Sequence, residues 1–200
     1  MFSQRLALLK DVLKNCEYST KKEKITEEKA IHLALGLLMK TRNQKGSVYV
    51  IGNGGSAGIA SHFAIDLLNV FKVSAHTLYD SNQMTCIAND YGYDKVFSIP
   101  LKTMLKPGDL LVAISSSGKS PNILNAVEIA KEMEINVITL SGFLDSNPLR
   151  KGGDLNFWLD AKDYGLVETG HFFLLHTIID FVMSEKKTLA AHEKQNHPSL

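Results

Sequence analysis

Three runs of consecutive apolar residues restrict this chain more than anything else in it: Val48-Tyr49-Val50-Ile51, Leu110-Leu111-Val112-Ala113-Ile114 and Val137-Ile138-Thr139-Leu140. Each breaks abruptly into small residues: Gly52 after the first, Ser115 after the second, Ser141-Gly142 after the third. A strand with one wet face alternates apolar and polar side chains. A run apolar at nearly every position fits a strand covered on both faces, as in a parallel sheet between two helical layers. Weaker strand signals lie at 75–79 and 155–159, and helix-like stretches at 57–71, 81–88, 96–105 and 122–133 fall between them. This alternation predicts an α/β fold, a doubly wound parallel sheet with right-handed crossovers.

Helices are predicted at both ends. Phe2, Leu6, Leu9, Val12 and Leu13 recur at helical spacing, as do Ala30, Leu33, Leu37 and Leu38 after the polar run 17–28. Neither helix is read as having a strand to follow, so the pair is expected to pack on the core or on a partner chain. A last helix, from about Val167 to Ser184, is apolar almost all round and should be buried, between subunits or in the core. The organisation read from these signals is a helical segment at 1–46 for packing or oligomerisation, a ligand-binding domain at 47–185 and a polar tail at 186–200.

At 200 residues the chain can bury a full core without disulfides or metals. Its formal net charge of +1 speaks against nucleic-acid binding through bulk positive potential. Cys16 and Cys86 form no C-x-x-C pair, which favours a reducing, cytoplasmic setting. The opening residues 1–14 carry Arg5, Lys10 and Asp11 within their apolar pattern, unlike a signal peptide, and no membrane span or membrane partner is expected.

Ligands of open α/β sheets bind beyond the carboxyl ends of the strands. Two strand ends here carry loops built for that. In Gly52-Asn53-Gly54-Gly55-Ser56 the glycines let backbone N–H groups approach a ligand, and Asn53 and Ser56 can bond sugar hydroxyls. Ser115-Ser116-Ser117-Gly118-Lys119-Ser120 joins a strand to a helix starting near Pro121, a ready anion site. Neither fits the Walker A or G-x-G-x-x-G pattern. One glycine- or serine-rich turn is common between a strand and a helix. Two at equivalent strand ends favour a phosphate ester, and the scarcity of nearby Arg and Lys suits a sugar monophosphate.

His62 and Asp66 are four residues apart and share one helix face, so they can hold a metal or divide acid–base work. Glu168, His171 and His176 interrupt the apolar last helix. The i, i+3 spacing offers His171 to Glu168 as a simple pair. Glu168 and His176 lie about 12 Å apart along an ideal helix. They can reach one point only if Glu168 sits at or before the helix start, or if a second chain contributes.

The ordered motifs Gly52–Ser56, His62-Phe63-Ala64, Ile87-Ala88-Asn89-Asp90-Tyr91-Gly92 and Ile114–Ser120 resemble the sugar isomerase (SIS) family, and within it the phosphoheptose isomerase branch, over nearly the whole chain. The resemblance implies a flavodoxin-like five-stranded sheet, a homotetramer with active sites at subunit interfaces, and aldose–ketose isomerisation of a sugar phosphate, sedoheptulose 7-phosphate first among them. It implies substrate contacts at Asn53, Gly54, Gly55, Asn89, Asp90, Ser115, Ser116, Ser117 and Ser120. It makes Asp66 the catalytic base and His176 a catalytic acid/base. It implies one zinc ion held by His62, Asp66, Glu168 and His176, with Asp66 and Glu168 also touching substrate. Two positions depart from the family pattern, which has Glu where this chain has Asp66 and Gln where it has Glu168. Two other readings fit the same motifs: an isomerase for a different sugar phosphate, and a non-catalytic relative that binds a partner protein such as the replication initiator. Four converging titratable groups argue against the second.

Overall fold

The computed structural model describes the backbone of residues 1–196 and the side chains of residues 1–183. Strands β1 (Glu17–Thr20) and β2 (Lys24–Ile25) form an antiparallel hairpin. Strands β3 (Ser47–Ile51), β4 (Ser74–His76), β5 (Leu110–Ser115), β6 (Asn136–Gly142) and β7 (Leu155–Leu159) are all parallel. The sheet order is β2-β1-β7-β6-β5-β3-β4. Counted by themselves, the five parallel strands run in the order 2-1-3-4-5, the flavodoxin-like winding. The chain leaves β3 for β4 on one side and returns to β5 on the other. The crevice beyond the carboxyl ends of β3 and β5 is therefore the topological switch point.

The helices are α1 (Phe2–Lys14), α2 (Glu27–Asn43), α3 (Gly55–Asp66), α4 (Ser81–Tyr91), α5 (Ser98–Met104), α6 (Pro121–Glu132) and α7 (Tyr164–Asn196). They cover both faces of the sheet, which is why the strand runs are apolar throughout. Val48, Val50, Val112 and Ile114 point into a layer with Ala34 and Leu38 of α2, Phe63 of α3 and Leu175 and Ile178 of α7. Their neighbours Tyr49, Ile51, Leu111 and Ala113 point the other way, onto Leu101 of α5 and Ile123 and Val127 of α6. Each fully buried aliphatic side chain stabilises the fold by about 1.5–3 kcal/mol. Thr26 caps α2 by accepting from the Lys29 N–H at 3.3 Å, with Glu27 and Glu28 in the first turn and Lys40 and Arg42 in the last.

The sheet is larger than the five strands expected, because the polar run after α1 folds as the β1–β2 hairpin on the outer edge of β7. Tyr18 turns its ring inward, edge-on to Phe157 at 5.6 Å between centroids, and Glu17 pairs with Arg150. The last helix starts at Tyr164, earlier than its apolar pattern suggests, and its backbone continues to Asn196. The predicted polar tail thus falls partly on that helix, while residues 197–200 and the side chains from 184 onward lie outside the described residues. By length and composition Tyr164–Met183 does reach the apolarity of a membrane span, against the sequence expectation. Packing accounts for it: Val167, Leu175, Ile178 and Ile179 are buried in the core layer, where α7 lies against α1 and α3.

Candidate active site

The loop after β3 begins α3 directly. Gly54 has φ +55°, a backbone that side chains with a Cβ rarely adopt. A Cβ at Gly55 would lie 2.2 Å from a carboxylate oxygen of Glu168, so the two residues are in contact across the mouth of the loop. The loop after β5 turns back at Gly118, whose N–H bonds the Ser115 carbonyl at 2.9 Å, and leads into α6 with Pro121 in its first turn. Ser115 and Ser116 are buried, and the Ser115 and Ser120 hydroxyls lie 3.2 Å apart. The Ser116 hydroxyl is buried without a hydrogen-bond partner among the described residues. An unpaired buried hydroxyl is costly, and a bound polar group would satisfy it.

The two loops close on one cavity of about 140 Å³, lined by Asn53, Ser56, Ser115, Ser116, Ser117, Ser120, Tyr164 and Glu168. Most of the sequence-predicted phosphate and sugar contacts meet here. Asn89 and Asp90 do not line it: they stand exposed at the end of α4, the Asn89 amide donating to Asp90 at 2.8 Å. Glu168 also lines an adjoining open depression with Gly55, Gly58, Ile59, His62, Thr169 and Phe172. It is the residue shared by the two spaces.

Beyond that depression lies a second constellation. The α3 pair His62 and Asp66 is met by His176 from α7. Asp66 Oδ2 is 3.6 Å from both His62 Nε2 and His176 Nδ1, and the two rings are 4.8 Å apart between centroids. Phe172 sets its edge against both rings, at 5.0 and 4.5 Å. A separation of 3.6 Å is too long for a hydrogen bond. Three donor atoms, all within 4.8 Å of one another, thus share one space without a proton bridging them. Two imidazole nitrogens and a carboxylate oxygen are the donor set of a borderline divalent cation. The α-helix ends at Asp66 in a wider π-type turn, Leu67–Phe71, of the kind frequent at functional sites.

Glu168 is not part of this group of three. The helix arithmetic explains the separation: Glu168 lies inside α7, two turns before His176. Its side chain turns to Gly55 and the serine cavity instead. His171 does not pair with Glu168 either. It is fully buried, and its Nε2 donates to the Ser141 carbonyl at 3.0 Å. Two residues passed over by the sequence analysis touch the loops: Tyr79, which meets the backbone of Gly52, and Asn122, which meets Asn53. Their partners are 27 and 69 residues away, so no local spacing announces them.

Known proteins share much of this sequence and fold. The SIS domain pattern matches residues 14–142. The chain is 36% identical over 184 residues to a phosphoheptose isomerase of Campylobacter concisus, covering 88% of this chain and 97% of that protein. It is similar to the solved structure of phosphoheptose isomerase from Neisseria gonorrhoeae, with TM-score 0.79 and 30% identity over 90% of this chain and 97% of that one. A phosphoheptose isomerase structure from Francisella tularensis follows, with TM-score 0.77 and 27% identity over 90% and 94% of the two chains.

Proposed function

The chain belongs to the SIS domain family, and we propose that its reaction is the aldose–ketose isomerisation of sedoheptulose 7-phosphate to D-glycero-D-manno-heptose 7-phosphate. The protein is a sugar-phosphate isomerase, and its similarity to phosphoheptose isomerases over most of its length supports the heptose substrate. The observation that carries the reading is the convergence of His62, Asp66 and His176 at one end of α3, connected through the depression at Glu168 to a serine-lined cavity at the switch point. One space is suited to holding a phosphate and the other to moving protons.

The roles follow from the chemistry of each side chain. The serine loop and the start of α6 bind the phosphate through hydroxyl and backbone N–H donors. The Asp66 carboxylate takes the proton from the carbon next to the carbonyl, giving an enediol. It returns that proton to the neighbouring carbon, the former carbonyl carbon. His176, facing Asp66, moves the hydroxyl proton in the same sense, from the hydroxyl oxygen to the former carbonyl oxygen, so that a carbonyl and an alcohol exchange places. Ring nitrogens and a carboxylate in this arrangement fit a zinc ion held by His62, Asp66 and His176. When bound it would polarise the sugar oxygens and stabilise negative charge there. Glu168 contacts substrate between the two spaces, and in a homotetramer a neighbouring chain would supply further groups. The cytoplasm is the setting this chemistry fits.

Glu168 places a carboxylate beside a phosphate cavity. Glu168→Gln is expected to lower KM for the sugar phosphate about two- to fivefold, the effect of one charge in a partly solvated site. Steady-state kinetics of the variant check this, and a raised KM would show that the carboxylate assists binding. The reading as a whole is tested by incubating the purified protein with sedoheptulose 7-phosphate, with and without chelator, and following product by NMR with metal analysis of the same sample. Turnover that falls on chelation and returns with zinc is the expected result. Absence of turnover under both conditions would sink the heptose assignment.

A further inference from the structure

Asn53, Asn122, Tyr93, Asp94 and Asn125 form a hydrogen-bonded circuit, and Tyr79 anchors one end of it. Asn53 Nδ2 donates to Asn122 Oδ1 at 3.0 Å, and Asn122 Nδ2 donates back to Asn53 Oδ1 at 2.9 Å. The orientation of the pair is fixed by the backbone, because Asn122 Oδ1 also accepts from the Ile123 N–H at 3.0 Å. Tyr93 Oη donates to Asn53 Oδ1 at 3.4 Å. One turn along α6, Asn125 Nδ2 donates to both the carbonyl and the carboxylate of Asp94, at 2.9 and 3.2 Å. The circuit therefore runs from the loop after β3 to α6, on to the short turn Tyr93–Lys95 that follows α4, and back to the loop. Tyr79 closes the base of that loop. Its hydroxyl accepts from the Gly52 N–H at 2.8 Å and donates to the Gly52 carbonyl at 3.1 Å, just past the last β3–β5 pair, Ile51 with Ala113.

These bonds use up most of Asn53. Both lone pairs of its amide oxygen and one of its two N–H groups are engaged inside the protein, leaving a single N–H for a ligand. Asn122 is 2% exposed, and all its bonds are internal. Burying such an amide is unfavourable unless every bond is made. Nothing in the core requires it there, since its neighbours Ile123 and Ala126 fill the apolar layer. Together the circuit joins three segments: the glycine loop, the start of α6 behind the serine loop, and the turn Tyr93–Lys95 after α4.

We propose that Asn122 and Tyr79 are positioning residues that lock these three segments into one preformed cradle for the phosphate and sugar chain. The inference rests on the sugar-phosphate reading of the cavity but not on the heptose assignment. In the free protein the cradle is already built, so binding orders little further backbone. Without the latch the loops separate, and the loss falls on binding more than on the chemical step at Asp66, which sits at the far end of α3.

The test compares Asn122→Ala, Tyr79→Phe and a control, Thr139→Val. Thr139 is a buried core residue whose hydroxyl bonds Asn156 at 2.8 Å, so its loss destabilises the fold away from the cavity. Two quantities are read: KM and kcat with sedoheptulose 7-phosphate, and the dissociation constant for inorganic phosphate by NMR titration. Asn122→Ala and Tyr79→Phe are expected to raise KM and the phosphate constant roughly tenfold, with kcat within about threefold of the parent. Thr139→Val should lower the melting temperature without moving either constant. Binding constants within twofold of the parent in both latch variants would overturn the proposal, as would an equal rise in the control. If Asn122→Ala does not fold, Tyr79→Phe decides alone. If the parent protein does not turn over the heptose phosphate while the latch variants still weaken phosphate binding, the substrate reading falls and the latch stands.

Discussion

Replacing Asp66 by asparagine is expected to lower kcat about a thousandfold while leaving the affinity for inorganic phosphate within a factor of two. The separation of the two effects follows from the layout. Asp66 lies at the carboxyl end of α3, and the serine cavity lies at the other end of that helix, with Glu168 between. An amide preserves the shape of the carboxylate but cannot take a proton from carbon. It also weakens the donor set that His62 and His176 complete, so bound metal should fall in the same variant. Asp66→Glu keeps the carboxylate and reaches about 1 Å further, to the length the family pattern carries at this position, and is expected to stay within about tenfold of the parent. Single-turnover rates of the three proteins check the series. A fully active Asp66→Asn protein would remove Asp66 from the proton transfer and leave His176 as the group to test.

The second large effect is on stability, and it comes from His171. Burial pushes this ring down to about 4, against a weaker opposing effect of its hydrogen bond to Ser141. In the unfolded chain the same ring titrates near ~6.5. Below that pH the unfolded chain takes up a proton that the folded protein refuses until the pH approaches the native value. The stability that the neutral ring confers is therefore complete above about pH 6.5 and is lost progressively as the pH falls through the interval below it. Between pH 7 and pH 5 the loss should be about 2 kcal/mol. His171→Gln retains a donor for the Ser141 carbonyl and cannot titrate, so it should unfold in urea with a visibly shallower acid dependence. Parallel pH profiles for parent and variant would show that the ring is not the source.

The legible parts of the molecule are those written locally. Val48–Ile51 and Leu110–Ile114 announce strands covered on both faces, because each successive side chain must enter a different apolar layer. His62 and Asp66 are legible as a pair because four residues make one helical turn. The hairpin at 17–25 was hidden, since Tyr18 alone of Glu17–Thr20 is buried and the rest reads as a polar connector. His176 meets Asp66 only through the tertiary packing of α7 on α3, and spacing gives no sign of it. Its place in the site came from resemblance. His171 looked like a helix-surface partner of Glu168, but the face it occupies is turned to the β6 carbonyls. The latch residues Tyr79 and Asn122 are single polar side chains whose importance exists only in three dimensions.

The β1–β2 hairpin also bears on how the chain avoids its own copies. Without it, β7 would end the sheet, offering a row of free backbone donors and acceptors on a strand that reads Leu-Asn-Phe-Trp-Leu. Such an edge is a template for strand addition by another unfolded or partly folded molecule. The hairpin occupies all but the last residue of that row, pairing Glu17 with Trp158 and Thr20 with Leu155. It hands the outer position to β2, which is two residues long and carries Lys24. At the opposite margin β4 is three residues long, with Ser74 and His76 exposed on either side of Ala75. Both borders of a very apolar sheet are thus too short and too polar to recruit a neighbour, so the leading segment protects solubility during folding as well as adding to the packed structure.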